Sequence, residues 1–362
     1  MQTRKYFVFM IAVLLGALTL NGCDLGSLAL DETNLEKLAI YYYRPGQKKP
    51  LSSEKVYRYF SEKTKAQISR DEWVKMRSGI DNNYATTVTL LGDKEASGNK
   101  YAIVSVTHQL PEKDGKTYKR TIATTWILES GKWRRLWLPK TKEELTKALQ
   151  ADDKAAMQVK AEKWLSIDPF SVEAYAALGT AIDRAAGHPF KRGDRSLSDI
   201  VQAMLAIDPE DTSVLYCAAI WSDSPANAKH FLKKMEGTKS YSTAAFSIAV
   251  KINDPKTRLQ FLEGMEIPGE LVLLKMEALS KLGRLDEFRK IAADEGEFDK
   301  LKLVLDGQDA GAAAVWAGKL GTMFHKAKDD DTARKWLEYG NTRVPNRPTD
   351  KARARRLDRP SK

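Results

Sequence analysis

A chain of 362 residues exceeds one ordinary domain of roughly 100–200 residues, so two folded units are expected. Its 43% apolar content excludes a chain disordered throughout. The net charge of +11 is unevenly spread: loss of Arg4 and Lys5 with a leader leaves +9, and eight Lys/Arg against two Asp between Arg343 and Lys362 carry +6 of that, so the remainder holds about +3 and a nucleic-acid-binding body is excluded.

Arg4 and Lys5 precede an apolar or small run from Tyr6 to Leu20, and small residues follow before Cys23. That is the layout of an export signal, residues 1–22, and it falls short of the ~20 apolar residues of a comfortable membrane span. Cys23 and Cys217 are the whole thiol inventory, so no disulfide framework is expected. Cys217 lies in the apolar helical run "TSVLYCAAIW" and reads as a small buried hydrophobe. Leu20-Asn21-Gly22-Cys23 resembles the lipobox of bacterial lipoproteins: Leu20, Gly22 and Cys23 match, and Asn21 departs from the usual small residue. The resemblance implies cleavage before Cys23, a diacylglyceryl thioether on it, and attachment to a bacterial cell membrane, facing the periplasm or exterior. Asp24 resembles an inner-membrane retention signal of enteric-type bacteria. An ordinary secretory signal or a retained anchor is the alternative. Residues 23–30 then form a tether.

Residues 31–139 are expected to form an α+β domain. "DETNLEKLAIYYY" offers Asp31 as a cap and Leu35, Leu38 and Tyr42 as one apolar face of a short helix. "SSEKVYRYFSEKTKAQISRDEWVKM" reads as two helices, the first capped by Ser53, with Val56, Tyr57 and Phe60 inward, and the second opened by a Ser69–Glu72 capping box. The period then becomes two. "NYATTVTLLG", "YAIVSVTHQL", "YKRTIATTWILE" and "KWRRLWLP" read as strands, with "ESGK" a tight hairpin turn. This order of elements, closing on "WILESGKWRRLWLP", resembles the nuclear-transport-factor-2-like (cystatin-like) fold, which implies a curved antiparallel sheet wrapped on helices around a cone-shaped cavity. Members of that family include enzymes, ligand binders and accessory domains.

From residue 142 to 347 the helical period persists, so an all-α helical-repeat solenoid is expected to follow the α+β domain. Val172, Tyr175, Leu178 and Ile182 form one stripe, and Leu197, Ile200, Val201, Met204 and Leu205 another. "WLSIDPFS" recurs forty residues later as "MLAIDPED", and each Asp-Pro stops a helix. These residues resemble tetratricopeptide repeats, whose unit is about 34 residues, with "GHPFKRGDR" as the site of inserted residues. The family's packing positions match Leu178 and Gly179, and most fully Leu320, Gly321, Phe324, Ala333, Leu337 and Pro345. A further hairpin is expected around Gly283, and the pattern decays between Ser224 and Gly264. Roughly four to five hairpins result. The tail, 348–362, is basic and proline-bearing; it reads as a solvated terminus, or as an arm for anionic lipid or an acidic partner.

Chemistry-bearing patterns are sparse. His108, His188, His230 and His325 are isolated, no metal-ligand spacing occurs, and "KDDDT" reads as a solvated turn between the last two helices. No phosphate loop or nucleophile elbow is present, so no cofactor or enzyme activity is expected. His108 is the one acid–base candidate, with Asp71 or Glu72 as its partner. Tyr57, Phe60, Trp73, Tyr84, Trp126, Trp133 and Trp137 read as sheet core, or alternatively as a pocket lining. The reading is a lipid-anchored adaptor that binds a protein partner through its repeats and no nucleic acid. The alternative is a small-ligand binder or enzyme that uses the α+β cavity.

Overall fold

The computed structural model describes residues 31–45, 51–77, 85–111, 117–186, 191–192, 195–265, 269–294 and 298–345. The N-terminal part is α+β and everything after it is helical. Four helices come first: α1 (Leu35–Tyr43), α2 (Ser53–Arg58), α3 (Glu62–Lys65) and α4 (Arg70–Arg77). Asn34 caps α1 and Ser52 caps α2, one being three residues after and the other one residue before the expected Asp31 and Ser53. Asp31 instead accepts the Thr33 N–H, which turns the chain into α1. The Ser69–Glu72 box forms as expected: each residue's side chain takes the other's backbone N–H, at 3.2 and 2.8 Å.

The sheet is an antiparallel meander of β1 (Ala85–Ala96), β2 (Asn99–Pro111), β3 (Thr117–Glu129) and β4 (Lys132–Arg135). Ser97-Gly98 and Ser130-Gly131 all hold φ between 49° and 75°, the left-handed pair that joins twisted strands through two residues. β1 runs on through Asp93, Lys94 and Glu95, and is bent by irregularities at Ala85/Thr87 and Leu90/Gly92. Across β4, Arg135 bridges in parallel to Phe60, with its N–H on the Tyr59 carbonyl at 2.8 Å.

Period-two alternation sends the side chains of β2 and β3 to two different cores. Ala102, Val104, Val106, Trp126 and Trp133 pack on Leu35, Leu38, Ala39 and Tyr42 of α1. Tyr101, Ile103 and Ile127 face the other way, into a core built mostly by the first helices after the sheet. Those are α5 (Pro139–Gln150), α6 (Lys154–Ile167), α7 (Val172–Ala186), α8 (Leu197–Ile207) and α9 (Thr212–Ile220), with a two-residue ladder of β5 (Lys191–Arg192) and β6 (Arg195–Ser196) between α7 and α8. β2 and β3 are thus covered on both faces, and their second cover comes from the helical part.

The remaining helices are α10 (Pro225–Lys234), α11 (Ser240–Lys251), α12 (Pro255–Leu262), α13 (Gly269–Lys281), α14 (Leu285–Asp294), α15 (Phe298–Asp306), α16 (Ala310–Lys326) and α17 (Asp330–Arg343). Two helices join successive cores. α9 gives Val214, Cys217 and Ala218 to the first helical core and Leu215 and Ala219 to the second. α13 gives Leu271 and Leu274 to the second and Val272, Leu273, Met276 and Leu279 to the third. A helix with apolar residues on two sides belongs between two layers, and both helices have them. Between Ser224 and Gly264, where the repeat pattern decays, the chain is still helical.

The two Asp-Pro turns are the same structure twice. Asp168 N–H bonds the Trp164 carbonyl and Asp208 N–H that of Met204; each aspartate's Oδ1 then accepts the N–H two residues on, at 3.2 and 2.9 Å. Ser171 and Asp211 follow as caps of α7 and α9.

Candidate functional site

β4 is short and pairs only with Trp126 to Glu129, so among the described residues β3 from Thr117 to Thr125 has no strand on its outer side. An uncovered edge presents a row of unpaired backbone groups. Here the helical part supplies the acceptors: Lys119 N–H reaches the Gly237 carbonyl at 3.2 Å, Thr121 N–H the Thr212 hydroxyl at 3.0 Å, and Ala123 N–H the Asp211 carboxylate at 2.6 Å. The same Asp211 caps α9 with its other oxygen, accepting from Ser213 and Val214.

Where helices meet this edge, they leave a groove of ≈ 690 Å³. One wall is the start of β3, from Tyr118 to Arg120; the others are α5, Trp164 of α6, α7, α9 and the N-terminal end of α11. Leu145, Ala176, Ala177 and Tyr216 are among its apolar lining, while Lys119, Arg120, Lys142 and Lys239 stand exposed around it. Glu173 is the acidic residue in the lining, and Lys142 holds it at 2.5 Å. Cys217 also lines the groove, but burial pushes its thiol up to about 12, which leaves it inert as a nucleophile near neutrality.

A smaller cavity of ≈ 230 Å³ adjoins the groove, and Arg120, Lys142, Trp164, Glu173 and Ser213 line both. His108, Arg135, Asp168 and Asp211 line its interior. Burial pushes the Asp168 carboxyl up to about 7, against the opposing pull of the Phe170 N–H. Asp211 is pushed up to about 6 for the same reason, with the N–H groups of Ala123, Val214 and Ser213 pulling the other way. Arg135 lies over the rings of Tyr42 and Tyr43 and donates to the Tyr42 hydroxyl at 2.9 Å. Its Nε and the Trp164 indole Nε1 are buried and have no hydrogen-bond partner among the described residues.

His108 therefore shares a cavity with acids other than those expected. Asp71 lies exposed on α4, and the Glu72 carboxylate is taken by the Ser69 N–H. The aromatic set divides between two cores: Trp126 and Trp133 pack on α1, whereas Phe60 and Trp73 pack with Tyr57 and Trp137. Trp137 alone of these also lines the inner cavity, and Tyr84 lies outside the described residues.

The packing residues lie at close approaches. A Cβ on Gly179 would overlap the Trp221 ring, and one on Gly321 would sit 2.9 Å from Leu337 Cγ and 3.2 Å from the Ala333 carbonyl. Leu178, Leu320, Phe324, Ala333 and Leu337 are buried, and Pro345 is exposed just past α17. In "KDDDT", Asp329 caps α17 at the Thr332 N–H, and Lys328 takes a φ of 62°. Among the described residues no three His, Cys, Asp or Glu gather as a metal site, and no helix is long and apolar enough to cross a membrane. Leu20, Gly22, Cys23 and Asp24 lie outside the described residues, as does the basic tail.

Comparison with models of known protein families gives no match, and comparison with curated proteins gives none.

Proposed function

We propose that the chain is a lipid-anchored adaptor of the bacterial cell envelope, tethered through Cys23, which holds a segment of a partner protein in the groove between the β3 edge and the helices. The observation that carries this reading is the groove itself, a concave surface of ≈ 690 Å³ with an apolar lining and a polar rim. The lipobox-like Leu20-Asn21-Gly22-Cys23 supports the anchor, since acyl chains on one cysteine hold a chain to a membrane. The twice-formed Asp-Pro turn and the successive cores shared through α9 and α13 support a tetratricopeptide-like array.

Photo-crosslinking in intact cells tests the groove. A crosslinker at Thr146, on the groove wall, is expected to trap one partner that a crosslinker at exposed Leu303 on α15 does not. Equal capture from both positions refutes the assignment. For the anchor, Cys23→Ala is expected to move the protein out of the membrane fraction and remove the acyl mass from its N-terminus. Unchanged attachment would show a retained apolar anchor instead.

The second reading, a small-ligand or enzymatic site, rests on His108 and Asp168 lining one cavity of ≈ 230 Å³. Native mass spectrometry of the purified protein separates the two, because a resident small molecule belongs only to the second.

A further inference from the structure

We propose that the segment held in the groove is acidic, and that it sets one carboxylate toward the inner cavity beside an apolar side chain seated on the groove floor. The proposal rests on the adaptor reading above and adds the chemistry of the partner. Charge complementarity argues for it. Lys119, Arg120, Lys142 and Lys239 are exposed on the groove wall, and its acidic residue, Glu173, is already engaged by Lys142. Lys239 Nζ is held 5.6 Å above the Tyr118 ring, which keeps a cation at the rim. The Arg120 side chain forms no hydrogen bond or ion pair with another described residue, although Arg120 lines both the groove and the inner cavity.

Arg135 and Trp164 line the inner cavity, and each carries a buried donor, Nε and Nε1, without an acceptor among the described residues. Two of the cavity's own carboxylates accept from backbone, Asp211 from Ala123, Ser213 and Val214 and Asp168 from Phe170, and the third, Glu173, is held by Lys142. Buried donors without acceptors are costly, and a carboxylate is the acceptor that pairs most strongly with an arginine. Leu145, Ala176 and Ala177 offer an apolar floor that a phosphate backbone would not use, so a peptide fits better than a nucleic acid. The site belongs to neither part alone, because β3 supplies Arg120 and the helices supply Lys142, Trp164 and Lys239.

The test is selection of random short peptides on the full-length, detergent-solubilised protein, followed by fluorescence anisotropy with the enriched peptides. The expected peptides carry Asp or Glu next to Leu, Ile or Phe. Exchanging their acids for Asn and Gln, or introducing Arg120→Glu with Lys239→Glu, is expected to weaken binding by about tenfold or more. Both positions are exposed, and circular dichroism of the variant checks that it folds; Arg120→Gln alone is expected to give a smaller loss in the same direction. Thr146→Trp, which obstructs the groove, is expected to abolish binding. Enriched peptides with no acidic excess, blocked by Thr146→Trp but indifferent to charge reversal, would overturn the acidic-segment proposal and leave the adaptor groove standing. Peptides indifferent to Thr146→Trp, or no enrichment at all, would overturn both. Tighter binding of an oligothymidylate than of any peptide would overturn the proposal in favour of a nucleic acid.

Discussion

Asp211 is the residue on which the junction turns. One carboxylate caps a helix and accepts from a strand of the sheet, so its loss strips acceptors from three backbone N–H groups at once. Asp211→Ala is expected to lower stability by about 2–4 kcal/mol, read as a shift of the urea midpoint, because a lost cap costs about 1 kcal/mol and a buried unpaired donor more. Asp168 gives the molecule a pH dependence of definite sign. It titrates at about 7 when folded and near 3.8 when free, so between those values the folded protein keeps a proton that the unfolded chain has released. The stabilising contribution is complete below the lower value and is lost as pH rises through the upper one. Asp211, at about 6, adds to the lower half of the same fall. Thermal midpoints are thus expected to drop between about pH 4 and pH 7 and to level off above that, and Asp168→Asn to flatten the drop. A profile rising over that range in the wild type would contradict the burial of both groups.

At the scale of elements, local chemistry and local structure agree closely. "ESGK" becomes the left-handed two-residue turn it spells, the Ser69–Glu72 box closes, and Asp168-Pro169 and Asp208-Pro209 stop α6 and α8 where expected. Each depends on residues within a turn of one another, which is why it is legible. Caps moved by one to three residues at α1 and α2, since several Ser, Asn and Asp lie side by side there and packing selects among them. The groove was not legible, because its walls come from segments near residues 118, 145, 176, 216 and 240 that no local pattern connects. For the same reason His108 could be placed on a strand but not matched to Asp168. The tight helix approach at Gly179 is testable. Gly179→Ala pushes a methyl into the Trp221 ring and is expected to cost about 1–3 kcal/mol, with Trp221→Phe recovering part of the loss in the double variant. Full additivity of the two changes would show that they do not touch.

For the whole molecule, the boundary near residue 140 divides secondary structure without dividing the core. Tyr101, Ile103 and Ile127 of the sheet share one apolar cluster with Trp164, Leu178 and Met204 of the helices. Calorimetry of the full chain is therefore expected to show the sheet and α5–α9 melting in one transition, and residues 142–347 expressed alone to bind a hydrophobic dye and aggregate. Two resolved transitions divided at the sheet would refute this. The tail from Lys351 to Lys362 carries almost no large apolar residue, so its deletion is expected to leave the thermal midpoint nearly unchanged.

The borrowed acceptors on β3 also impose an order of events during synthesis. The strand is finished at Glu129, but Asp211, Thr212 and Gly237 emerge from the ribosome only later. Until then the nascent sheet offers a bare flank to any neighbouring polypeptide, so a chaperone that shields it, or a delay in folding until the helices arrive, is built into the way this protein must be made.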